Sequence, residues 1–232
     1  MKEASFYKKL EDQKAQCHLC PHNCVIVEGK TGICGVRKNE KGILYSLIYG
    51  EITSLALDPI EKKPFYRFFP GSFILSIGTK GCNFSCPFCQ NWTISKDLDA
   101  VTQKVSSEFL IQRAHELDSL GIAYTYNEPF IWYEFVFDTA KMAQKEGLHN
   151  VLVTNGFVNQ EPLKQLLPFI NAMNIDIKSI DEHFYRTACA GSLAPVLETI
   201  KEASKQCHVE LTNLVIPTLN DSVENFERLV DW

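Results

Sequence analysis

The sequence predicts an α/β fold: about five strands, each followed by a helix, in a parallel array of the partial (β/α)-barrel kind, behind a small cysteine-rich appendage. Three observations carry this. After Gly71 short β-like runs alternate with segments of helical period; the connections between them are short; and residues 1–40 show little apolar periodicity yet hold four of the nine cysteines. Short connections between successive strands force parallel pairing with right-handed crossovers. A doubly wound sheet and a (β/α) barrel, or an open part of one, satisfy this pattern equally.

In chain order, residues 1–40 are polar and place Cys17, Cys20, Cys24 and Cys34 among Gly29, Gly32 and Gly35. Such a stretch buries little core of its own, and a bound metal is a plausible substitute. The run ILYSLIYGEITSLAL (43–57) alternates as two short strands around Gly50 would, and DPIEKKPFYRFFPG (58–71), with three prolines, reads as a loop. The chain therefore divides into a lead-in region, 1–70, and a core, 71–232. The expected core strands are FILSIG (73–78), IAYTY (122–126), VLVT (151–154), MNIDI (173–177) and VELTNLVI (209–216). Apolar spacing predicts helices over Val105–Leu120, capped by Ser106 and stopped by Gly121, over Ile131–Glu146, around Pro162–Leu167, over Leu193–Gln206, and from Ser222 to Trp232.

Composition narrows the function. Charged residues make up 22% of the chain and the net charge is −5, which argues against a sequence-independent grip on nucleic acid or on anionic membrane. No apolar run approaches the ~20 residues of a membrane span. Met1–Lys14 is polar and mixed in charge, unlike a signal or transit peptide, so a cytoplasmic location is expected. There thiols stay reduced, and clustered cysteines more often bind metal or do redox chemistry than form disulfides.

Both expected architectures put chemistry at the C-terminal ends of the strands. The polar residues gather there: a cysteine loop after the first core strand, Asn127-Glu128 after the second, Thr154-Asn155-Gly156 after the third, Asp176 and Lys178 after the fourth, and Pro217–Asp221 after the fifth. The loop Gly81–Cys89 has the spacing C-x3-C-x2-C. Structural zinc takes four protein ligands, so three thiolates leave one position open, which suits an iron–sulfur cubane with one exchangeable iron. A zinc knuckle that borrows a fourth ligand is the alternative. The rim residues have plain readings as well. Glu128 can cap the next helix, Thr154-Asn155-Gly156 can be a turn, Asp176 and Lys178 can be an ion pair, and Val215 and Ile216 can be core. Cys17, Cys20, Cys24 and Cys34 can hold zinc or a second iron–sulfur cluster, with His18 and His22 as rival ligands, or can be buried free thiols. Cys189 and Cys207 read as packing residues, with Cys189, in TACAG just beyond the fourth core strand, alternatively facing the site.

These residues resemble the radical S-adenosylmethionine (SAM) enzymes. C-x3-C-x2-C after the first strand of a βα array, with aromatic Phe88 before the third cysteine, matches that family's signature. TYNEP (125–129) resembles its Gly-Gly-Glu-Pro element, with Asn127 in place of a glycine, and IDIK (175–178) the Asp-Leu-Lys element of pyruvate formate-lyase activases. The N-terminal CHLCPHNC and GICGVR, with the stretch from ALDPIEKK to CQNW, are closer still to the radical SAM enzyme of the AmmeMemoRadiSam system. The resemblance implies a [4Fe–4S] cluster on Cys82, Cys86 and Cys89, and SAM as cofactor. Phe88 would lie near adenine. Glu128 and Asn127 would accept from the SAM ammonium, and Thr154 and Asn155 would bond ribose or carboxylate. Lys178 would meet the SAM carboxylate, and Asp176 would orient Lys178 or touch ribose. Val215 and Ile216 would give adenine strand backbone and an apolar wall. The cluster and Lys178 would carry the chemistry: reductive cleavage of SAM to a 5′-deoxyadenosyl radical that abstracts hydrogen. The implied partners are an electron donor such as flavodoxin or ferredoxin and a substrate protein or Memo-like protein. A glycyl-radical-enzyme activase is one alternative, and a non-enzymatic iron–sulfur or zinc protein is the other. The family's six strands against five here imply a chain that stops before the sixth, with an open edge beside the fifth.

Overall fold

A computed structural model describes all 232 residues. Its centre is a six-stranded sheet: β1 (Ser54–Pro59), β2 (Phe73–Gly78), β3 (Gly121–Tyr124), β4 (His149–Thr154), β5 (Ala172–Asp176) and β6 (His208–Thr212). The spatial order is β6-β5-β4-β3-β2-β1. The five expected strands are all present and pair parallel. Strand β1 is added antiparallel to β2, from Ser54 opposite Gly78 to Pro59 opposite Phe73. The main helices are α1 (Ser107–Glu116), α2 (Tyr133–Lys145), α3 (Gln160–Leu166), α4 (Leu193–Ala203) and α5 (Val223–Asp231).

Strand order settles the choice of architecture. A doubly wound sheet reverses its order at a switch point. Here the order runs one way from β2 to β6, so right-handed crossovers put every helix on the same side, as in a sector of a (β/α) barrel. Burial agrees. Leu75, Ile77, Ile122, Tyr124, Leu152, Met173 and Ile175 join the helices in one large core, whereas Ile74, Ala123, Val151 and Ala172 point to the other face. That second face is covered by Ile60, Phe65 and Phe68 of the proline-rich loop.

Several boundaries differ from expectation. The segment 43–57 holds three strands, Ile43–Ser46, Glu51–Ile52 and the start of β1, not two, and position 70/71 falls between two paired strands. Helix α1 is shorter than Val105–Leu120; Ser106 caps it as expected, accepting from Phe109 N, but Gly121 opens β3 rather than ending the helix. A Cβ at Gly121 would lie 1.8 Å from the His149 carbonyl oxygen, so close strand approach requires glycine there. Strand β6 ends at Thr212, opposite the last residue of β5. Beyond it Asn220 accepts from Ile216 N at 2.6 Å and donates to Lys178 O and Leu214 O, so side-chain bonds replace the ladder.

The N-terminal region forms two three-stranded antiparallel sheets, Tyr7–Lys9 with Ala15–Cys17 and Val25–Ile26, and Lys2–Glu3 with Ile43–Ser46 and Arg37–Glu40. It is fastened to the core by a buried fork. Arg37 Nη2 and Nη1 donate to Glu134 of α2 at 2.8 and 3.2 Å, and Ser5 N donates to the same carboxylate at 2.7 Å.

Candidate functional site

A cavity of about 480 Å³ opens at the C-terminal ends of the parallel strands. Cys82, Cys86, Phe88 and Cys89 reach it from the loop after β2, Asn127 and Glu128 from the end of β3, Thr154 and Asn155 from β4, and Asp176 and Lys178 from β5. Val215 and Ile216 do not line it. They sit past the end of β6, with Val215 53% exposed, so the expected strand backbone is absent there; Thr212 and Leu214 line the cavity instead.

The polar rim is bound into one network. Glu128 begins the 3₁₀ turn Pro129–Trp132 that leads into α2, and its Oε1 accepts from Phe130 N (2.9 Å) and from Thr154 Oγ1 (2.8 Å). Its Oε2 accepts from Asn155 N at 2.8 Å. Glu128 is thus both the helix cap of the plain reading and a wall of the cavity. Burial pushes its carboxyl up to about 7, against the pull of those three donors. Asn155 Nδ2 donates to Asn83 Oδ1 (2.8 Å), and Asn83 Nδ2 donates to Phe157 O (2.8 Å). Asn127 accepts from Thr79 N (3.1 Å) and donates to Gly81 O (2.9 Å). The cysteine loop is therefore held at its base by Asn127 and inside by Asn83. Lys178 Nζ lies 3.0 Å from Asp176 Oδ2. Burial opposes its charge, but Asp176 and then Cys86 outweigh that and raise its pKa above the ordinary lysine value.

The three loop thiols differ. A hydrogen bond with Cys189 holds the Cys86 thiol down to about 7, against burial and with help from Lys178 and Lys96. Cys82 accepts from Phe84 N (3.4 Å), and burial followed by Glu128 pushes it up to about 12. Cys89 lies 3.1 Å from Ser95 Oγ. As the side chains stand, no three metal-ligating groups meet at one point. The donor set itself, three soft thiols on one loop with no carboxylate between Gly81 and Cys89, fits iron–sulfur ligation by three cysteines. Phe88 stands 5.9 Å from Phe184, ring to ring.

Two features carry no signal in the local pattern of the cysteine loop: the contact of Cys189 with Cys86, and the lysines of the 58–71 segment. Cys189 is a buried core residue, as its packing reading expects, and lies outside the cavity wall, but its thiol hydrogen-bonds that of Cys86. Lys62 and Lys63, in the presumed loop, line the cavity with Asp58 behind them. Asp58 binds Lys62 Nζ (2.8 Å), Lys63 Nζ (2.6 Å) and the Tyr126 hydroxyl (2.5 Å). The adjacent pair Lys62-Lys63 between two prolines was the available signal. Cys17, Cys20, Cys24 and Cys34 together line a second, much smaller cavity of about 20 Å³. Of their rivals, His18 is not in its wall, and His22 is, with its Nε2 bonded to Asn83 O at 2.8 Å.

Comparison with known proteins matches residues 76–232 to the Radical SAM superfamily. The chain is 46% identical over 235 residues to protein MJ0808 of Methanocaldococcus jannaschii, an alignment covering all of this chain and 70% of that one. It is 27% identical over 161 residues to the pyruvate formate-lyase 1-activating enzyme of Escherichia coli K12, covering 66% of this chain and 65% of the enzyme. Among solved structures, Streptococcus suis SuiB bound to S-adenosylmethionine superposes with a TM-score of 0.53 at 12% identity, over 68% of this chain and 38% of SuiB, a likeness of fold. No helix is long and apolar enough to cross a membrane.

Proposed function

The chain belongs to the radical SAM superfamily, and from that premise we propose that it holds a [4Fe–4S] cluster on Cys82, Cys86 and Cys89 and cleaves S-adenosylmethionine reductively for hydrogen abstraction. The observation that supports this best is the meeting, in one cavity, of the three loop thiols with Glu128, Asp176 and Lys178 from three other strand ends. When bound, a reduced cluster would supply the one electron that breaks the sulfonium C–S bond of SAM, giving methionine and a 5′-deoxyadenosyl radical. The protein's part is to hold and orient. Glu128 has one acceptor position beyond its three donors, enough for one ammonium N–H, and a charge-assisted bond of that kind is strong. Lys178, kept charged by Asp176, faces the cavity as the partner for a carboxylate. Phe88 offers a ring to adenine. Asn127, Thr154 and Asn155 have their side-chain bonds taken up inside the protein, so their role is to position the cysteine loop and Glu128. Reduced flavodoxin or ferredoxin would supply the electron.

The likeness to a pyruvate formate-lyase activating enzyme supports a finer reading, in which the hydrogen comes from a glycine Cα of a partner protein. The resemblance to the AmmeMemoRadiSam enzyme supports the other, a substrate tied to Memo-like proteins.

Anaerobic reconstitution tests the main proposal. The expected result is a reduced-cluster EPR signal that changes on adding SAM, with release of 5′-deoxyadenosine, both abolished in Cys86→Ala. A Cys86→Ala protein that keeps a full cluster and full SAM cleavage overturns it, as does a spectrum indifferent to SAM.

A further inference from the structure

We propose that Cys17, Cys20, Cys24 and Cys34 bind a single zinc ion, and that this ion braces the Gly81–Cys89 loop. The four thiols come from different turns of one short stretch and line one cavity, so side-chain rotation alone would turn them onto one ion, although no three of them meet at one point as they stand. Cys17 closes the strand Ala15–Cys17, and its N donates to Cys24 O at 3.0 Å. Asn23 N donates to Cys20 O at 3.0 Å, which turns Cys24 back toward Cys17. On the opposite side, a Cβ on Gly32 would lie 3.5 Å from Cys24 Sγ, so a bare backbone borders that sulfur.

The size of the cavity and its donor set favour zinc. At about 20 Å³ it has room for little more than one water-sized sphere, which takes roughly 10–15 Å³. That space matches one ion more closely than a cubane of four irons and four sulfides. Four soft donors with no carboxylate in the wall are the set that tetrahedral structural zinc prefers.

A second observation points the same way. Arg37 also lines this cavity and is 2% exposed. Its Nη atoms donate to Glu134 and to Ser5 O, but its Nε has no hydrogen-bond partner. A buried orphan N–H is rare in native proteins. A metal-bound thiolate is an acceptor that satisfies it, and such outer bonds to ligand atoms are a regular part of metal sites. Arg37 already favours the thiolate forms of Cys17 and Cys34, although burial pushes Cys34 up to about 11 and Cys20 up to about 12. Binding is a proton exchange without redox change: Zn²⁺ enters, four S–H bonds break, four Zn–S bonds form and four protons leave.

The brace follows from contacts on both sides of the cavity. His22, between Cys20 and Cys24, bonds Asn83 O at 2.8 Å. Gly81 (φ +88°) packs so closely that a Cβ there would lie 2.7 Å from Cys34 O. The zinc lobe thus holds the first residues of the loop that carries Cys82.

Metal analysis of the full chain, purified without oxygen, tests this. The expected content is one zinc per chain, retained in Cys86→Ala and lost in Cys20→Ser and in Cys34→Ser. Cobalt(II) in its place should give thiolate charge-transfer bands and tetrahedral d–d bands. Arg37→Lys should weaken zinc binding about tenfold. Should the cysteine variants fail to fold, the native chain serves: an organomercurial should release one zinc to a colorimetric chelator. Native protein that holds no zinc and takes up no cobalt overturns the proposal. So do four extra irons that vanish with Cys20→Ser. Neither result touches the SAM reading, which fails on the Cys86→Ala outcome or on a spectrum indifferent to SAM.

Discussion

Thr154 carries two bonds with one hydroxyl: it donates to Glu128 Oε1 at 2.8 Å and accepts from Gly156 N at 3.0 Å. Replacing it with valine keeps the shape and the strand preference but leaves Gly156 N without an acceptor and takes from the buried Glu128 carboxylate one of its three donors. Leaving buried polar groups unpaired costs about 1–3 kcal/mol, so Thr154→Val is expected to lower unfolding free energy by roughly 2 kcal/mol in urea, and an unchanged urea midpoint refutes the network. At this scale the sequence is legible in kind but not in direction. Glu128, Thr154, Asn155, Asp176 and Lys178 stand out in the sequence as rim residues, because they are polar residues at the C-terminal ends of otherwise apolar strands. Which way each bond runs depends on backbone approach, and no local pattern carries that. Asn127 shows the difference: expected as an acceptor for ligand, it is spent on Thr79 N and Gly81 O.

Strands are legible where they are apolar and buried on both faces, as β2 to β5 are, and least so at the margins. Strand β1 contains Asp58 and Pro59, residues that read as loop, and only an edge position tolerates them. The apolar run 209–216 continues past Thr212, but a strand is no longer than its partner, and β5 ends at Asp176. Gly121 and Gly147, each directly after a run of helical period, make a test at this scale. Gly147 has φ +74° and open space where a Cβ would go. Gly147→Ala should therefore cost only the conformational ~1–2 kcal/mol. Gly121→Ala drives a Cβ into the His149 carbonyl at 1.8 Å, and both belong to adjacent paired strands that have nowhere to shift. The expected loss is at or beyond the ~3 kcal/mol upper range of ordinary overpacking. Equal melting temperatures for the two variants would contradict the close approach of β3 and β4.

The segment 58–71, a loop by its prolines, crosses the whole molecule. It leaves β1 at one edge of the sheet and reaches β6 at the other, where Tyr66 N and Arg67 N donate to Glu210 at 2.8 and 3.0 Å. Midway, Asn174 Nδ2 of β5 donates to Pro64 O at 3.2 Å. Its near end is anchored by Asp58, whose two oxygens bind Lys62, Lys63 and Tyr126. Burial opposes the Asp58 charge, but those three donors outweigh it and hold the carboxyl well below the usual carboxylate range. A folded-state pKa below the unfolded value of about 3.9 adds stability above that pH, and the gain is lost as pH falls toward the folded value. Lys63, with its side chain 1% exposed, would be left as an unpaired buried cation if Asp58 were neutralised. Removing one partner of such a pair costs about 3–5 kcal/mol. Asp58→Asn is therefore expected to be less stable than the parent chain by at least ~3 kcal/mol at neutral pH. The gap should narrow progressively below about pH 4 as Asp58 itself takes up a proton. Urea unfolding of both proteins at neutral and acid pH measures it. A gap that stays constant with pH would mean that the strap is held by its apolar residues Ile60, Phe65 and Phe68, with no contribution from the charge cluster.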